Sequence, residues 1–455
     1  RAARAAKDAP RGDDGAVAKA AKAAQPAGGV TGDGARYGAW ASSASTPSSS
    51  AAAAKVGTGS AVESLPLPEE YTQDLAKAGK PTGMPKFSDS AKTGFEAALQ
   101  RQYGQPKDDA GNGGKGQANP NRKGRAKPGK LGMPRSNGPD YSVVTRNLAL
   151  ELVRVTEAAA LGSAQWMGLG DKRAADQAAV DAMRLVLNTL SMDGRIVIGE
   201  GEKDEAPMLY NGEFMGDGSW PAVDIAVDPL DGTSLIAQGR HGAISVIALA
   251  ERGAMFEPQQ AFYMEKLCVP FEAADAVDIN APVGQNIKAV ADALGKDPCD
   301  ISVAVLDRPR HSELIYNIRR AGARVHLIAD GDVAAALAAA TPDNDVDMLM
   351  GIGGSPEGVI AAAAMRCIGG GFQGKLWARD EKEAECLTDQ GHDLQRVLHA
   401  EDLCRGEQVF FAATGVSNSD FVRGVRFTPG GALTSSLVMR AKSGTIRFIE
   451  TTHRF

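Results

Sequence analysis

The chain reads as an α/β protein, on three observations. Three apolar runs, 301–306, 324–328 and 346–350, each spill into a polar loop (DRPRH, ADGD and GIGGSPEG) and then into a helical pattern. Val180, Met183, Leu187 and Leu190 recur at helical spacing within 174–190. The β-branched run 223–227 predicts a short strand. Strand, loop and helix in alternation mark a layered α/β fold, whose ligands bind where loops leave the strand ends.

The elements follow in order. Residues 1–138 are dominated by Ala, Gly, Ser, Lys and Pro, as in SSASTPSSSAAAAK at 42–55 and GNGGKGQANPNRKGRAKPGK at 111–130. Such composition buries too little apolar surface to offset chain entropy, so a largely disordered extension is expected, with one transient helix over 87–103. The Ser- and Ala-rich, acid-poor texture also loosely matches an organelle-targeting segment, which leaves cytoplasm and plastid both open. From about residue 140 the pattern becomes structured. The expected helices are 148–167 and 174–190, and the expected strands are 195–198 and 223–227. Residues 243–250 and 255–267 read as a hairpin about Arg252-Gly253. Residues 408–455 return to strands, and no repeat of fixed period is present.

Bulk properties exclude several classes. A net charge of −6 argues against nucleic-acid binding, and no apolar run approaches the ~18 residues of a membrane span. Cys268, Cys299, Cys367, Cys386 and Cys404 are scattered without a C-x-x-C pair, which disfavours a zinc site or a disulfide framework. No H-E-x-x-H, Walker-A run or Ser-His-Asp order is present, and the glycines after the early strands do not follow G-x-G-x-x-G.

Chemistry concentrates in VDIAVDPLDGT at 223–233. Here a strand should end at Asp228, turn through Pro229, present Asp231 and close on Gly232-Thr233. Hard divalent cations prefer such oxygen ligands, and a hydroxyl beside them can aim water at a phosphate. Taken alone, the motif could also be an ordinary turn, since Asp, Pro and Gly are turn residues. Asp176 in the first turn of its helix and Glu357 after Pro356 could each merely complement a helix dipole. Glu200 and Glu202, in GEGEKDEAP, could be surface acids. None of these places needs an acid for packing, however, and clustered carboxylates repel unless cations compensate. A multi-metal site accounts for Asp176, Glu200, Asp228, Asp231 and Glu357 together. Arg308, Arg310 and His311 supply basic partners for a phosphate, and the helix after Gly-Thr-Ser could aim N–H groups at an anion.

The order GEGEKDEAPMLY, VDIAVDPLDGT, FYMEK, DRPRH, ADGD, GGSPEG, ATGV and RGVRF resembles the class II (GlpX-type) fructose-1,6-bisphosphatases from about Tyr141 onward. DPLDGT alone points only to the wider superfamily of lithium-sensitive, metal-dependent phosphatases. The resemblance implies a layered helix/sheet sugar-phosphatase fold, with a metal-binding half at 139–300 and a sugar-phosphate-binding half at 301–455. It implies Mg²⁺ or Mn²⁺ held by Asp176, Glu200, Asp228, Asp231 and Glu357. Substrate contacts are implied at Asp231, Gly232, Thr233, Tyr263, Arg308, Pro309, Arg310, Asp330, Gly331, Asp332 and Gly354. A water-activating pair is implied in Thr233 and Asp204, and Lys172 in the GDK turn is a further catalytic candidate. Asp231 stands where several members carry Glu. The implied activity is hydrolysis of the 1-phosphate of fructose 1,6-bisphosphate, in gluconeogenesis or the Calvin cycle, by a homo-oligomer (dimer or tetramer). The short link from Leu209 to Val223 is expected to set the chain apart from cyanobacterial members that also hydrolyse sedoheptulose 1,7-bisphosphate. Rival readings are a seven-carbon or inositol-type phosphatase, a silent sugar-phosphate sensor and a Rossmann oxidoreductase.

Overall fold

The computed structural model of the chain describes residues 142–201, 208–341 and 344–455, with side chains from Leu148 onward. The expected extension 1–138, together with Glu202 and Asp204, lies outside the described residues. Two long helices open the described part: α1 (Ser142–Ala164) and α2 (Lys172–Leu187). A mixed sheet takes β1 (Asp193–Ile198), β2 (Phe214–Met215), β3 (Ala222–Asp231) and β4 (Ile244–Glu251), with the single-turn helix α3 (Thr233–Ala237) between the last two. The chain then leaves for a second sheet. There β5 (Tyr263–Val269), α4 (Val283–Leu294), β6 (Ser302–Leu306), α5 (Ser312–Arg320), β7 (Arg324–Ile328) and α6 (Asp332–Ala340) follow one another. They lead on to β8 (Met348–Gly354), α7 (Ser355–Ile368), β9 (Gly371–Trp377), α8 (Glu381–Asp389), β10 (Leu398–His399) and α9 (Ala400–Leu403). It returns to the first sheet as β11 (Phe410–Gly415), β12 (Arg426–Thr428), β13 (Gly431–Arg440) and β14 (Thr445–Arg454). Among the described residues the first sheet has order β12-β13-β11-β4-β3-β1-β2 with β14 on β13, and the second β10-β9-β5-β8-β6-β7. One sheet is thus nested within the sequence of the other.

The layers follow from which side chains need cover. In β4, Ile244, Val246, Ala248 and Ala250 enter one core, while Ile247 and Leu249 enter another. A strand covered on both faces reads as a continuous apolar run, as this one does. The first of these cores also takes Met264, Cys268 and Leu376 of the second sheet together with most of α6 and α7. Those two helices lie between the sheets. They are apolar almost all round, as a helix without a solvent face must be, and their alanines keep the layer thin. Helices α1 and α2 cover the outer face of the first sheet. Helix α4, with Ile318 of α5, covers the outer face of the second. Among the described residues no helix is long and apolar enough to cross a membrane.

The three strand–loop–helix units appear as β6-α5, β7-α6 and β8-α7, with β6 parallel to both β7 and β8. The expected hairpin about Arg252-Gly253 does not form. β4 pairs with β3 and β11, whereas β5 belongs to the other sheet between β8 and β9. The turn is there, but chain 252–262 carries the backbone from one sheet to the other, touching Cys404 through a lone bridge at Met255. Helix α2 begins two residues before the expected start, because Asp171 caps it by accepting the Ala174 N–H at 3.0 Å.

Candidate active site

The strand β3 does not stop at Asp228, as expected, but runs on to Asp231 through an irregularity. Asp228 pairs with Val246 and Asp231 with Ile244, so three steps on β3 span two on β4. In a regular strand residues three apart face opposite sides. The extra residue cancels that reversal and lets both carboxylates reach one cleft. Pro229 sits inside the bulge, where its missing N–H breaks no ladder bond, and the Leu230 N–H finds Asp228 Oδ1 at 3.1 Å. Gly232 then takes a left-handed φ of 91° and starts α3. A Cβ there would crowd Leu235 and Ala243 at 3.0 and 3.4 Å.

A cleft of about 490 Å³ opens at this bulge, lined from both sheets. Asp176, Glu200, Asp228, Asp231 and Glu357 all contribute to its wall. Asp176 is not in the first turn of its helix, which holds no acid. The dipole explanation for it therefore falls. Glu200 follows β1 in a loop pinned by Glu200 N–H to Leu209 O at 2.9 Å. Gly199 is required beside it, since a Cβ would lie 1.9 Å from Leu209 O. Glu357 is in the first turn of α7, where it also faces the positive helix end.

The expected substrate residues line the same cleft. Gly232 and Thr233 come from the bulge end, Tyr263 from β5, Arg308 and Arg310 from the loop after β6, Asp330–Asp332 from the loop after β7, and Gly354 from the end of β8. Pro309 is not part of the wall; it opens the 3-10 turn Pro309–His311, which carries Arg310 and is capped by Arg308. Arg308 donates to Ala329 O at 2.6 Å and to Asp330 Oδ1 at 3.3 Å. Arg310 donates to Ile352 O at 2.7 Å, with its guanidinium 5.2 Å from the Tyr263 ring centroid. His311 serves the framework: its buried ring accepts the Ile352 N–H at Nε2 (2.8 Å), so Nδ1 carries the proton and donates to Leu306 O (2.7 Å). Burial holds it below the usual histidine range, hence neutral. Lys172 lies outside the wall and donates to Ser234 Oγ at 2.7 Å. The single turn of α3 is not a free anion cradle, because Ser234 N–H already donates to Asp330 Oδ2 at 3.1 Å.

Charge in the cleft is strained. Burial, then Asp176 and Glu357, push Glu200 up to about 8. Asp228 is held well above the carboxylate range by burial first, then by Asp231, Glu200, Glu357 and Asp176. Asp231 is held up by burial, then Asp332, Glu357 and Asp330. Glu357 is raised by burial, with Lys266 pulling the other way, and burial raises Asp176. Asp231 Oδ2 and Glu357 Oε2 are buried with no hydrogen-bond partner among the described residues. Orphaned, mutually repelling carboxylate oxygens are the donor set a hard cation satisfies, so the residues fit divalent metal. Among the described residues no group of three or more His, Cys, Asp or Glu side chains is arranged to hold an ion as it stands; the oxygens share a cleft without yet closing on a point.

Sequence reasoning passed over one residue. Lys266 of β5 is 2% exposed, with its ammonium 2.6 Å from Asp332 Oδ2. Its signal was present, since Met264, Lys266 and Cys268 share one strand face and two of the three are core residues.

Acids gathered opposite arginines at the strand ends of an α/β fold suit metal-assisted chemistry on a phosphate. Residues 146–453 match the family model described as bacterial fructose-1,6-bisphosphatase, glpX-encoded, and the chain belongs to that family. A relative from Synechococcus sp. (strain JA-2-3B'a(2-13)), named D-fructose 1,6-bisphosphatase class 2/sedoheptulose 1,7-bisphosphatase, is 45% identical over 331 residues, 67% of this chain and 95% of its own. One of the same name from Microcystis aeruginosa (strain NIES-843 / IAM M-2473) is 46% identical over 333 residues, 68% of this chain and 96% of its own. The short Leu209–Val223 link, expected to separate the chain from such cyanobacterial members, therefore coexists with extensive identity to them.

Proposed function

We propose that the chain hydrolyses the 1-phosphate of fructose 1,6-bisphosphate to fructose 6-phosphate and phosphate, using Mg²⁺ or Mn²⁺. The observation that carries this reading is the meeting of five acids with Arg308 and Arg310 in one cleft. Family membership and the relatives' names point the same way.

Asp176, Glu200, Asp228, Asp231 and Glu357 would hold the cations, four of them from 139–300 and one from 301–455. When bound, the cations supply neutralisation of phosphate charge and activation of the attacking water. Thr233, at the open end of α3, offers its hydroxyl to orient that water for in-line attack. The proton passes to a carboxylate, a role that the family resemblance gives to Asp204. Arg308 and Arg310 grip the sugar phosphate that is not cleaved, and Tyr263 and the Asp330–Asp332 loop hold the sugar. These groups supply orientation, which can remove a large part of the barrier. The chain acts as a homo-oligomer in this reading.

A second reading is hydrolysis of sedoheptulose 1,7-bisphosphate at the same cleft, favoured by the names of the relatives. A panel of fructose 1,6-bisphosphate, sedoheptulose 1,7-bisphosphate and inositol 1-phosphate, each assayed with Mg²⁺ and with Mn²⁺, separates these. The primary reading predicts the highest kcat/KM for the six-carbon bisphosphate. A higher value for the inositol ester would overturn it.

A further inference from the structure

Lys266 is buried where an apolar residue would pack with far less desolvation. Its ammonium meets Asp332 at 2.6 Å under the cleft floor. A Cβ on Gly353 would stand 3.0 Å from that ammonium and 1.9 Å from Asp332 Oδ2, and one on Gly358 would stand 3.3 Å from Lys266 Cε. The lysine therefore threads beneath the glycine step that joins β8 to α7. At the next residue, Gly354, a Cβ would collide with Glu357 Oε2 at 1.8 Å. The lysine and the Glu357 carboxylate thus flank adjacent glycines of one wall. Asp332 also acts electrostatically on both Asp231 and Glu357. Those two acids carry the orphaned oxygens.

We infer that Lys266 is a positioning residue that doubles as resident positive charge: it fixes Asp332 in the wall and offsets the Asp332 charge that bears on Asp231 and Glu357, a task it shares with bound cations. Its placement on a rigid strand makes that charge permanent, whereas the cations come and go. The inference rests on the proposed cation-dependent reading and extends it to a group outside the residues that line the cleft. A lysine that merely packs would leave cation affinity alone. A lysine that contributes charge sets that affinity, because the pair Lys266–Asp332 is neutral only while both members are present.

Calorimetric titration of the full chain with Mn²⁺ alone tests this. Lys266→Met leaves Asp332 uncompensated and should tighten Mn²⁺ binding threefold or more. Asp332→Asn leaves the ammonium uncompensated and should weaken it threefold or more, while Lys266→Arg stays near the parent. Opposite shifts support the inference; unshifted affinities, or two shifts in the same direction, overturn it. Should Lys266→Met fail to fold, Asp332→Asn decides alone, and unchanged or tighter Mn²⁺ binding there is the overturning result. Sugar-phosphate hydrolysis by the parent chain is measured separately. Opposite shifts without any hydrolysis keep the role of Lys266 and remove the catalytic reading; hydrolysis with unshifted affinities does the reverse.

Discussion

Ser234 donates its backbone N–H to Asp330 Oδ2 at 3.1 Å, joining the turn after β3 in one sheet to the loop after β7 in the other. The same carboxylate receives Arg308 through its second oxygen at 3.3 Å. One aspartate thereby sets the spacing between Thr233 and the arginine loop. Asp330→Ala should leave the Ser234 N–H unpaired, at a cost of about 1–3 kcal/mol. The expected result is a loss of about tenfold or more in kcat/KM, with partial recovery in Asp330→Asn, whose amide oxygen can still accept. Equal losses in both variants would show that the charge on Asp330, and not its bridge, is what matters.

In the proposed reading Thr233, besides lining the substrate cleft, acts on the water. Thr233→Ala should therefore lower kcat by about 10²-fold or more, the range for a group that moves protons in the transition state, while KM changes little. Steady-state kinetics on fructose 1,6-bisphosphate read this directly. A raised KM with kcat intact would reassign Thr233 to binding.

Among the described residues Glu357 has one oxygen without a partner and sits among other acids. Glu357→Gln should raise the half-saturating Mn²⁺ concentration about tenfold or more, by analogy with the cost of perturbing a ligand shell. An unaltered Mn²⁺ requirement would reduce Glu357 to a helix-end charge.

Burial of the acids, with their mutual repulsion, also predicts a pH dependence of stability. Glu200 titrates near 8 in the folded chain against an ordinary 4.5. Between those values the folded protein keeps a proton that the unfolded chain has lost, so the contribution of Glu200 to stability without cations is fully present below about 4.5 and is lost as pH rises through about 8. Asp228 and Asp231 are shifted in the same direction. Thermal melts in chelator should show Tm dropping from pH 5.5 to pH 8.5, and added Mn²⁺ should raise Tm more at the higher pH. A cation effect of equal size at both values would contradict it.

Gly331 adopts φ 73°, and a Cβ on it would stand 3.0 Å from Asp231 Oδ1. Gly331→Ala should cost about 1–3 kcal/mol of backbone strain and displace a carboxylate the site needs. Activity should fall further than stability does. Activity falling only in step with Tm would assign the glycine to the fold alone.

Much of the site was legible because its acids stand where packing asks for none. Asp228, Asp231 and Glu357 each break an apolar pattern at a strand or helix end, and all five expected acids face one cleft. The three strand–loop–helix units were legible for the same local reason. Pairing between distant strands was not. Nothing near β4 says that its second neighbour, besides β3, is β11 rather than β5, because β11 lies far along the chain. The bulge at Pro229 was hidden too, since a D-P-x-D-G turn and a bulged strand end use the same residues. Lys266 escaped because a lysine in a strand reads as solvent-facing until its burial partner, 66 residues away, is known.

In the proposed reading these acids gather cations to cleave a sugar phosphate. Orthophosphate release from fructose 1,6-bisphosphate, followed with Mg²⁺ or Mn²⁺ and again in excess chelator, tests it most directly. One phosphate per sugar, with fructose 6-phosphate as product and none formed in chelator, is the predicted result. Release that persists without divalent cations, or fails at every cation concentration, would contradict it.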